Sequence, residues 1–376
     1  MVCLRMFALA ETLTTSAQTQ YECHRGGSRR YVTLVQQRVI HLEADLMANP
    51  PPRTTSKVNN AIGIEIADGG MRLTAKHATT NTIHRRRLAS PPTPDEAIDA
   101  LNDLIAEVTR DDAAPHADAL GVAVWGDVDP ARGVTLSMPH TEGWDEFPLA
   151  DRLADHWEIP VVPTSAVAAA GLAEATSGAG QRYRVVLYIH SGRTVASALI
   201  EEGAIFAGAS GRAGKLAHWL VSPDGPRCAC GQSGHLDPIA SAQSIVRATI
   251  GLASGSDEST AAMLRVSGGR AEAMTVRQVV QLAEEGDSSA RTVLERAWDA
   301  LALALANLAA ALDPDVIILG GPIAEAGEGF CQPLRERLAR LCGSWRPAPE
   351  LLPGALGPRA ALVGACLLPL HRRHYW

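Results

Sequence analysis

The chain has 376 residues, 46% of them hydrophobic and 20% charged, with a formal net charge of -7. This length allows two domains or lobes with a sizeable core, and the acidic balance excludes a general affinity for polyanions. Seven cysteines (Cys3, Cys23, Cys228, Cys230, Cys331, Cys342 and Cys366) are scattered apart from one close pair. That pattern excludes a disulfide framework and fits a reducing compartment, so the cytoplasm is the expected location.

Residues 1–59 read as a poorly ordered N-terminal extension, with polar stretches, a basic RGGSRR knot and the proline run MANPPPRTTSK. The opening MVCLRMFALAETL is too short and too broken by Arg5 for a signal peptide, and no apolar run spans a bilayer, so no membrane contact is expected. Met47 is an alternative start. One helical stretch, Tyr31–Met47, lacks the second helix that a helix-turn-helix needs, so DNA is not an expected partner.

Order begins with AIGIEI, which alternates apolar residues, turns at ADGG and returns as MRLTAKH. The basic run HRRR (84–87) reads as a solvated loop. TPDEAIDALNDLIAEVTR opens on Thr-Pro and early acids and keeps helical spacing. ALGVAVWG is a buried strand. PLADRLADHWEIPVV is a helix and short strand, and VAAAGLAEATSGAG is a small-residue helix ending on glycines. YRVVLYIHS and TVASALIEEG form a hairpin. ARTVLERAWDALALALANLAAALDPDVIILGGPIAEAG gives a long helix, a turn, a strand and a double-glycine turn, and RAALVGACLLPLH closes the chain as a helix. Strands and helices alternate in two sets. An α/β protein with two lobes and a cleft is expected.

HWLVSPDGPRCACGQSGH (218–235) concentrates metal-ligand chemistry. His218, Cys228, Cys230 and His235 offer the two thiolates and two imidazoles that tetrahedral zinc accepts. Pro223, Gly225, Pro226, Gly231 and Gly234 supply the turns that bring them to one point. The alternative is a loop with two free thiols; ligand type and turn content favour the metal. Four protein ligands leave no position for a reactive water, so the metal would be structural.

At this stretch the sequence resembles the ROK family (repressors, open reading frames and sugar kinases). Its members carry Glu-x-Gly-His and then Cys-x-Cys-Gly-x-x-Gly-Cys-x-Glu; here these read KLAH (215–218) and CACGQSGHLD (228–237). GVAVWGDVDPARGV and LANLAAALDPDVIILGGPIAEAG are similar to further family segments, and the resemblance runs from Ala61 to the C-terminus. It implies a two-lobed, actin-like ATPase (sugar kinase, ribonuclease H-like) fold with a structural zinc loop. The lobes would be residues 60–165 plus about 358–376, and residues 166–357 with the loop at 218–235. It also implies a sugar or sugar-derived ligand and a homo-oligomer.

The departures from the family pattern bear on function. The Asp-x-Gly-Gly-Thr phosphate loop aligns with 65–69, where the acid survives as Glu65 but the Gly-Gly-Thr is gone, with Gly69 a candidate on the nucleotide side. The second phosphate loop aligns with Ser191-Gly192-Arg193, and Gly320 and Gly321 stand on the nucleotide side. Family kinases use Asn-Asp, the aspartate being the general base; Ser165 and Ala166 stand there, so no catalytic residue is assigned. Glu174 is the nearest acid downstream. Lys215 replaces a sugar-binding glutamate, Asp237 a second one, and His140 an asparagine, while His218 is kept as ligand and pocket wall. Lysine only donates, which with Arg193 favours an acidic or phosphorylated ligand over a neutral hexose. Three functions follow: a non-catalytic or very weak sugar-kinase homologue that senses a sugar or metabolite; an ATP- and magnesium-dependent hexose kinase of the glucose or N-acetylglucosamine type; or a repressor without a recognisable helix-turn-helix.

Overall fold

The computed structural model describes residues 58, 60–67, 70–77, 83–89, 93–109, 117–138, 141–343 and 345–370. Apart from Val58, the extension expected over 1–59, with Met47 and the Tyr31–Met47 stretch, lies outside the described residues.

The first half of this region forms β1 (Asn60–Ala67), β2 (Gly70–His77), β3 (Ile83–Leu88), α1 (Pro94–Thr109), β4 (Ala119–Val124), β5 (Asp127–Asp129), β6 (Val134–Ser137), α2 (Leu149–Trp157), β7 (Val161–Ser165) and α3 (Ala166–Ser177). Five strands make a sheet in the order β3-β2-β1-β4-β7, the first three antiparallel and β4 and β7 parallel to β1. Every residue of ALGVAV is buried, as a strand inside a parallel sheet requires. Thr93 and Glu96 cap α1 reciprocally: the Glu96 amide donates to Thr93 Oγ1 and the Thr93 amide to Glu96 Oε2. The HRRR run departs from the loop expected of it. It lies in β3, register-paired with β2, and charged residues suit such an edge strand.

The second half repeats the plan. It contains β8 (Val185–Ser191), β9 (Val195–Glu201), β10 (Ala204–Ile205), α4 (Asp237–Ala240), α5 (Ala242–Ala253), α6 (Asp257–Val266), α7 (Val276–Glu284), α8 (Ser288–Leu312), β11 (Val316–Gly320), α9 (Pro322–Glu325), α10 (Glu328–Cys342), β12 (Glu350–Pro353) and α11 (Ala360–Leu367). The sheet runs β10-β9-β8-β11-β12, again an antiparallel arm joined to parallel strands. Its apolar helices pack around Leu301, Leu305 and Phe330.

Between the sheets, α3 and α11 share a third apolar cluster with Tyr188 and Val316. The alanines of AVAAAGLAEATS allow this close helix pair. A Cβ at Gly364 would overlap the Ala169 carbonyl oxygen, and one at Gly121 would overlap that of Ala365. The C-terminal helix therefore lies flat on both α3 and the first sheet. Among the described residues, no helix is long and apolar enough to cross a membrane.

Candidate functional site

The segment 218–235 folds as an irregular hairpin. The Cys228 amide donates to Gln232 O at 2.8 Å, and the Gly234 amide to Pro226 O at 3.0 Å. Leu220 and His235 pair as an isolated bridge. Gly234 has φ +78°, and a Cβ there would overlap Ser222 O, so only glycine closes the turn. One donor atom each from His218, Cys228, Cys230 and His235 fall within 4.8 Å of one another. Cys230 Sγ is 3.3 Å from His235 Nδ1, and Cys228 Sγ is 4.0 Å from His218 Nδ1. Zinc bonds of about 2.0–2.3 Å in a tetrahedron set neighbouring ligand atoms roughly 3.3–3.8 Å apart. The donor set suits such an ion chemically, and the widest pair, up to 4.8 Å apart, would close by about 1 Å around it.

Glu65, in β1, is 2% exposed. The hairpin register places Arg72 directly opposite it. Arg72 Nη2 donates to Glu65 Oε1 at 2.6 Å and to Pro358 O at 2.9 Å, and Trp125 Nε1 donates to the same Oε1 at 2.7 Å. Glu65 Oε2 sits 2.5 Å from Arg72 Nη2 as an ion pair but takes no well-directed hydrogen bond. Trp125, immediately after β4, meets His190 of β8 at 4.7 Å between ring centroids. Burial lowers the His190 pKa to about 4, so the imidazole is neutral at physiological pH.

That ring is wedged between two glycine turns. A Cβ at Gly192 would come within 2.8 Å of His190 Nε2, and one at Gly321 (φ +76°) within 2.8 Å of its Cε1. Gly320 is backed by Tyr188, whose hydroxyl a Cβ would overlap. Gly192, Gly320 and Gly321 thus converge at the ends of β8 and β11. Beside them lies a cavity of about 800 Å³, lined in part by Gly192, Arg193, Arg247 and Arg277.

The remaining candidates are engaged. Ser165 caps α3, its hydroxyl accepting from the Ala168 amide at 3.2 Å. Ala166 follows it, 1% exposed. Glu174 sits at the far end of α3, 1% exposed. Its carboxylate accepts from the amides of Ala179, Ala355 and Leu356 at 3.0, 3.0 and 2.8 Å. Lys215 is ion-paired with Asp127 of β5, and both remain partly in solvent. Asp237 Oδ1 accepts from the Val195 amide at 2.8 Å. Burial raises its pKa, opposed by that amide and by the charge of His218. Gly69 and His140 lie outside the described residues.

Sequence reasoning passed over Arg72, Trp125, Asp127 and His190. Two of them had a readable signal. Arg72 faces Glu65 across any tight hairpin centred on ADGG, and His190 directly precedes the Ser-Gly turn. The approach of Trp125 to His190 joins two sheets and has no local signature.

The sequence profile of the ROK family matches residues 61–372, and the chain belongs to this family. A glucokinase of Thermotoga maritima is 28% identical over 272 residues, 72% of this chain and 84% of the relative. The crystal structure of a ROK family glucokinase from Streptomyces griseus, in complex with glucose and AMPPNP, superposes with a TM-score of 0.69 at 28% identity, covering 82% of this chain and 98% of the other. A ROK family transcriptional regulator, a homologue of the Escherichia coli MLC protein, shares the fold with a TM-score of 0.72 at 19% identity, covering 89% and 87%.

Proposed function

We propose that this chain is a ROK-family sugar-kinase homologue on the two-lobed actin-like fold that has lost phosphoryl transfer and senses a sugar or sugar-derived ligand. One observation carries the reading. The α3 position where family kinases hold the general base is the buried methyl group of Ala166, and the only acid of that helix, Glu174, is spent on three backbone amides. Loss of a general base costs roughly 10²–10⁴-fold. Glu65 points the same way, because Arg72 and Trp125 already occupy it. In this reading the ligand meets Lys215, His218 and Asp237, with His140 and Ser165 as further candidates, and an acidic group suits Lys215. His218, Cys228, Cys230 and His235 hold a structural zinc that fixes the loop carrying Asp237. The protein works in the cytoplasm as a homo-oligomer, without DNA or membrane contacts.

The glucokinase relatives favour the second reading, an ATP-dependent hexose kinase. A coupled ADP-release assay over glucose, N-acetylglucosamine and related sugars separates the two. Turnover above background would overturn the proposal. Calorimetry with the same sugars, their 6-phosphates and uronic acids tests the ligand, and heat is expected from an acidic member.

A further inference from the structure

The tip of the metal-ligand loop is its most accessible part. Ala229, Cys230, Gly231, Gln232 and Ser233 are all exposed, while Cys228 is 6% exposed. The two cysteines share one tight turn, closed by the Gly231 amide donating to Cys228 O at 2.9 Å. Gly231 takes φ +94°, and a Cβ there would meet nothing within 4 Å. The turn is open to solvent. Behind it, the Arg227–Ser233 bridge and the Cys228–Gln232 hydrogen bond hold the two limbs together. Both sulfurs lie within the 4.8 Å span of the donor cluster, so side-chain rotation on an unobstructed turn brings them to the separation of about 2.05 Å that a disulfide needs. At this site the chain departs from the family pattern. His235 stands where that pattern has a third cysteine, so the donor set holds two sulfurs and no more. Among the described residues the other thiols, Cys331, Cys342 and Cys366, are buried in α10 and α11.

We propose that Cys228 and Cys230 are a modification site for hydroperoxides: two-electron oxidation joins them as a disulfide and releases the metal. A cysteine that holds zinc does so as the thiolate, and the thiolate is the form that attacks peroxide. Cys230 is the sulfur that a peroxide reaches first, because it is exposed and Cys228 is not. Its Sγ attacks one oxygen of hydrogen peroxide, the O–O bond breaks, and the other oxygen leaves as hydroxide, giving a sulfenic acid. Cys228 Sγ then attacks Cys230 Sγ; the S–S bond forms and a second hydroxide leaves. The two sulfurs have lost two electrons, the peroxide has gained them, and two protons from the buffer turn both hydroxides into water. A third cysteine in the site would leave the pairing open. With His235 in its place the product is single. The two imidazoles that remain are half of a tetrahedral shell, so the metal leaves. Its loss unties the turn from His218, whose Nδ1 is 4.0 Å from Cys228 Sγ. An exposed disulfide between cysteines one residue apart is readily reduced by thiols, which makes the change reversible. The inference rests on the proposed function only in taking the four donors as a metal site.

The test is titration of the zinc-loaded full-length protein with hydrogen peroxide. Released metal is followed with a chromogenic chelator, and the cysteines are mapped by mass spectrometry of tryptic peptides. About one metal is expected to leave per disulfide formed, with the peptide that begins at Cys228 lighter by two hydrogens. Dithiothreitol followed by added zinc is expected to reverse both changes. Cys230→His keeps four ligand side chains and removes the disulfide, and its metal is expected to leave at least about tenfold more slowly under peroxide. If this variant holds no zinc, metal release and mass change in the unaltered protein decide the matter together. Zinc retained under peroxide, zinc released while both thiols stay reduced, or a disulfide from either cysteine to one outside the loop overturns the inference. Failure here is separable from failure of the proposed function. Sugar-dependent ADP release overturns that reading and leaves this one standing. Zinc held against peroxide overturns this one alone, and a chain that binds no zinc overturns the metal site and this inference with it.

Discussion

His190 gives the molecule a pH dependence that can be worked out from its surroundings. The ring is packed against Trp125 and between Gly192 and Gly321, and burial alone takes its pKa from 6.5 to about 4. The nearest charged group behind Trp125 is Glu65, itself neutralised by Arg72. The folded state prefers the uncharged imidazole, so the unfolded chain binds the proton first as pH falls. The contribution is therefore complete above about pH 6.5, declines below it and is gone by about pH 4. At about 1.4 kcal/mol per pKa unit, the difference between 6.5 and about 4 corresponds to roughly 3 kcal/mol. Urea unfolding of the native protein and of His190→Gln, at pH 7.5 and at pH 4.5, measures it. Both lose stability as carboxylates protonate, but the native protein should lose about 2–3 kcal/mol more. Equal losses would show that the ring is not held neutral by burial and would refute the argument.

Three further outcomes are expected. Zinc chelation should release about one equivalent of metal per chain and lower the melting temperature by several degrees, and Cys228→Ser should abolish stoichiometric zinc in the purified protein by elemental analysis. Gly364→Val should cost about 3 kcal/mol or more in denaturant unfolding, because its Cβ overlaps a backbone carbonyl of α3 that no rotamer change can relieve. Ala166→Asp alone should leave sugar-dependent ADP release at background, because Glu65 stays bound to Arg72 and Trp125 and His190 still fills the gap between the glycine turns.

The elements were legible because their signals are local. The alternation in AIGIEI, the Thr-Pro opening of α1 and the length of α8 each fix an element without its neighbours. The metal-ligand cluster was legible for the same reason, since its four donors lie within one turn-rich segment. What escaped was set at a distance. HRRR reads as loop when taken alone and becomes a strand because β2 offers it an edge. Trp125 looked like the end of a buried strand, and its role depends on a residue 65 positions away in the other sheet. Glu174 is the nearest acid downstream of Ala166, and nothing local announces that the amides of Ala355 and Leu356 reach it from the segment leading into α11.

The contacts across the cleft differ in strength, and the difference bears on how it opens. The Lys215–Asp127 pair is partly solvated on both sides, and such pairs contribute about 1 kcal/mol or less. It cannot by itself hold the two sides together. The contact at Trp125 is of another kind: an indole packed on an imidazole, with its N–H donated to a carboxylate that is 2% exposed. Opening there would wet an aromatic pair and expose the Glu65–Arg72 pair behind it. Separation of the sheets is therefore easiest at the Lys215 end, beside His218 and the metal-ligand loop, and hardest at the His190 end. A ligand entering at Lys215 competes only with a surface ion pair, whereas one that needs the space at His190 must displace a half-buried aromatic pair. This asymmetry supports the proposed reading, in which a ligand binds beside Lys215 without assembly of a phosphate path at His190.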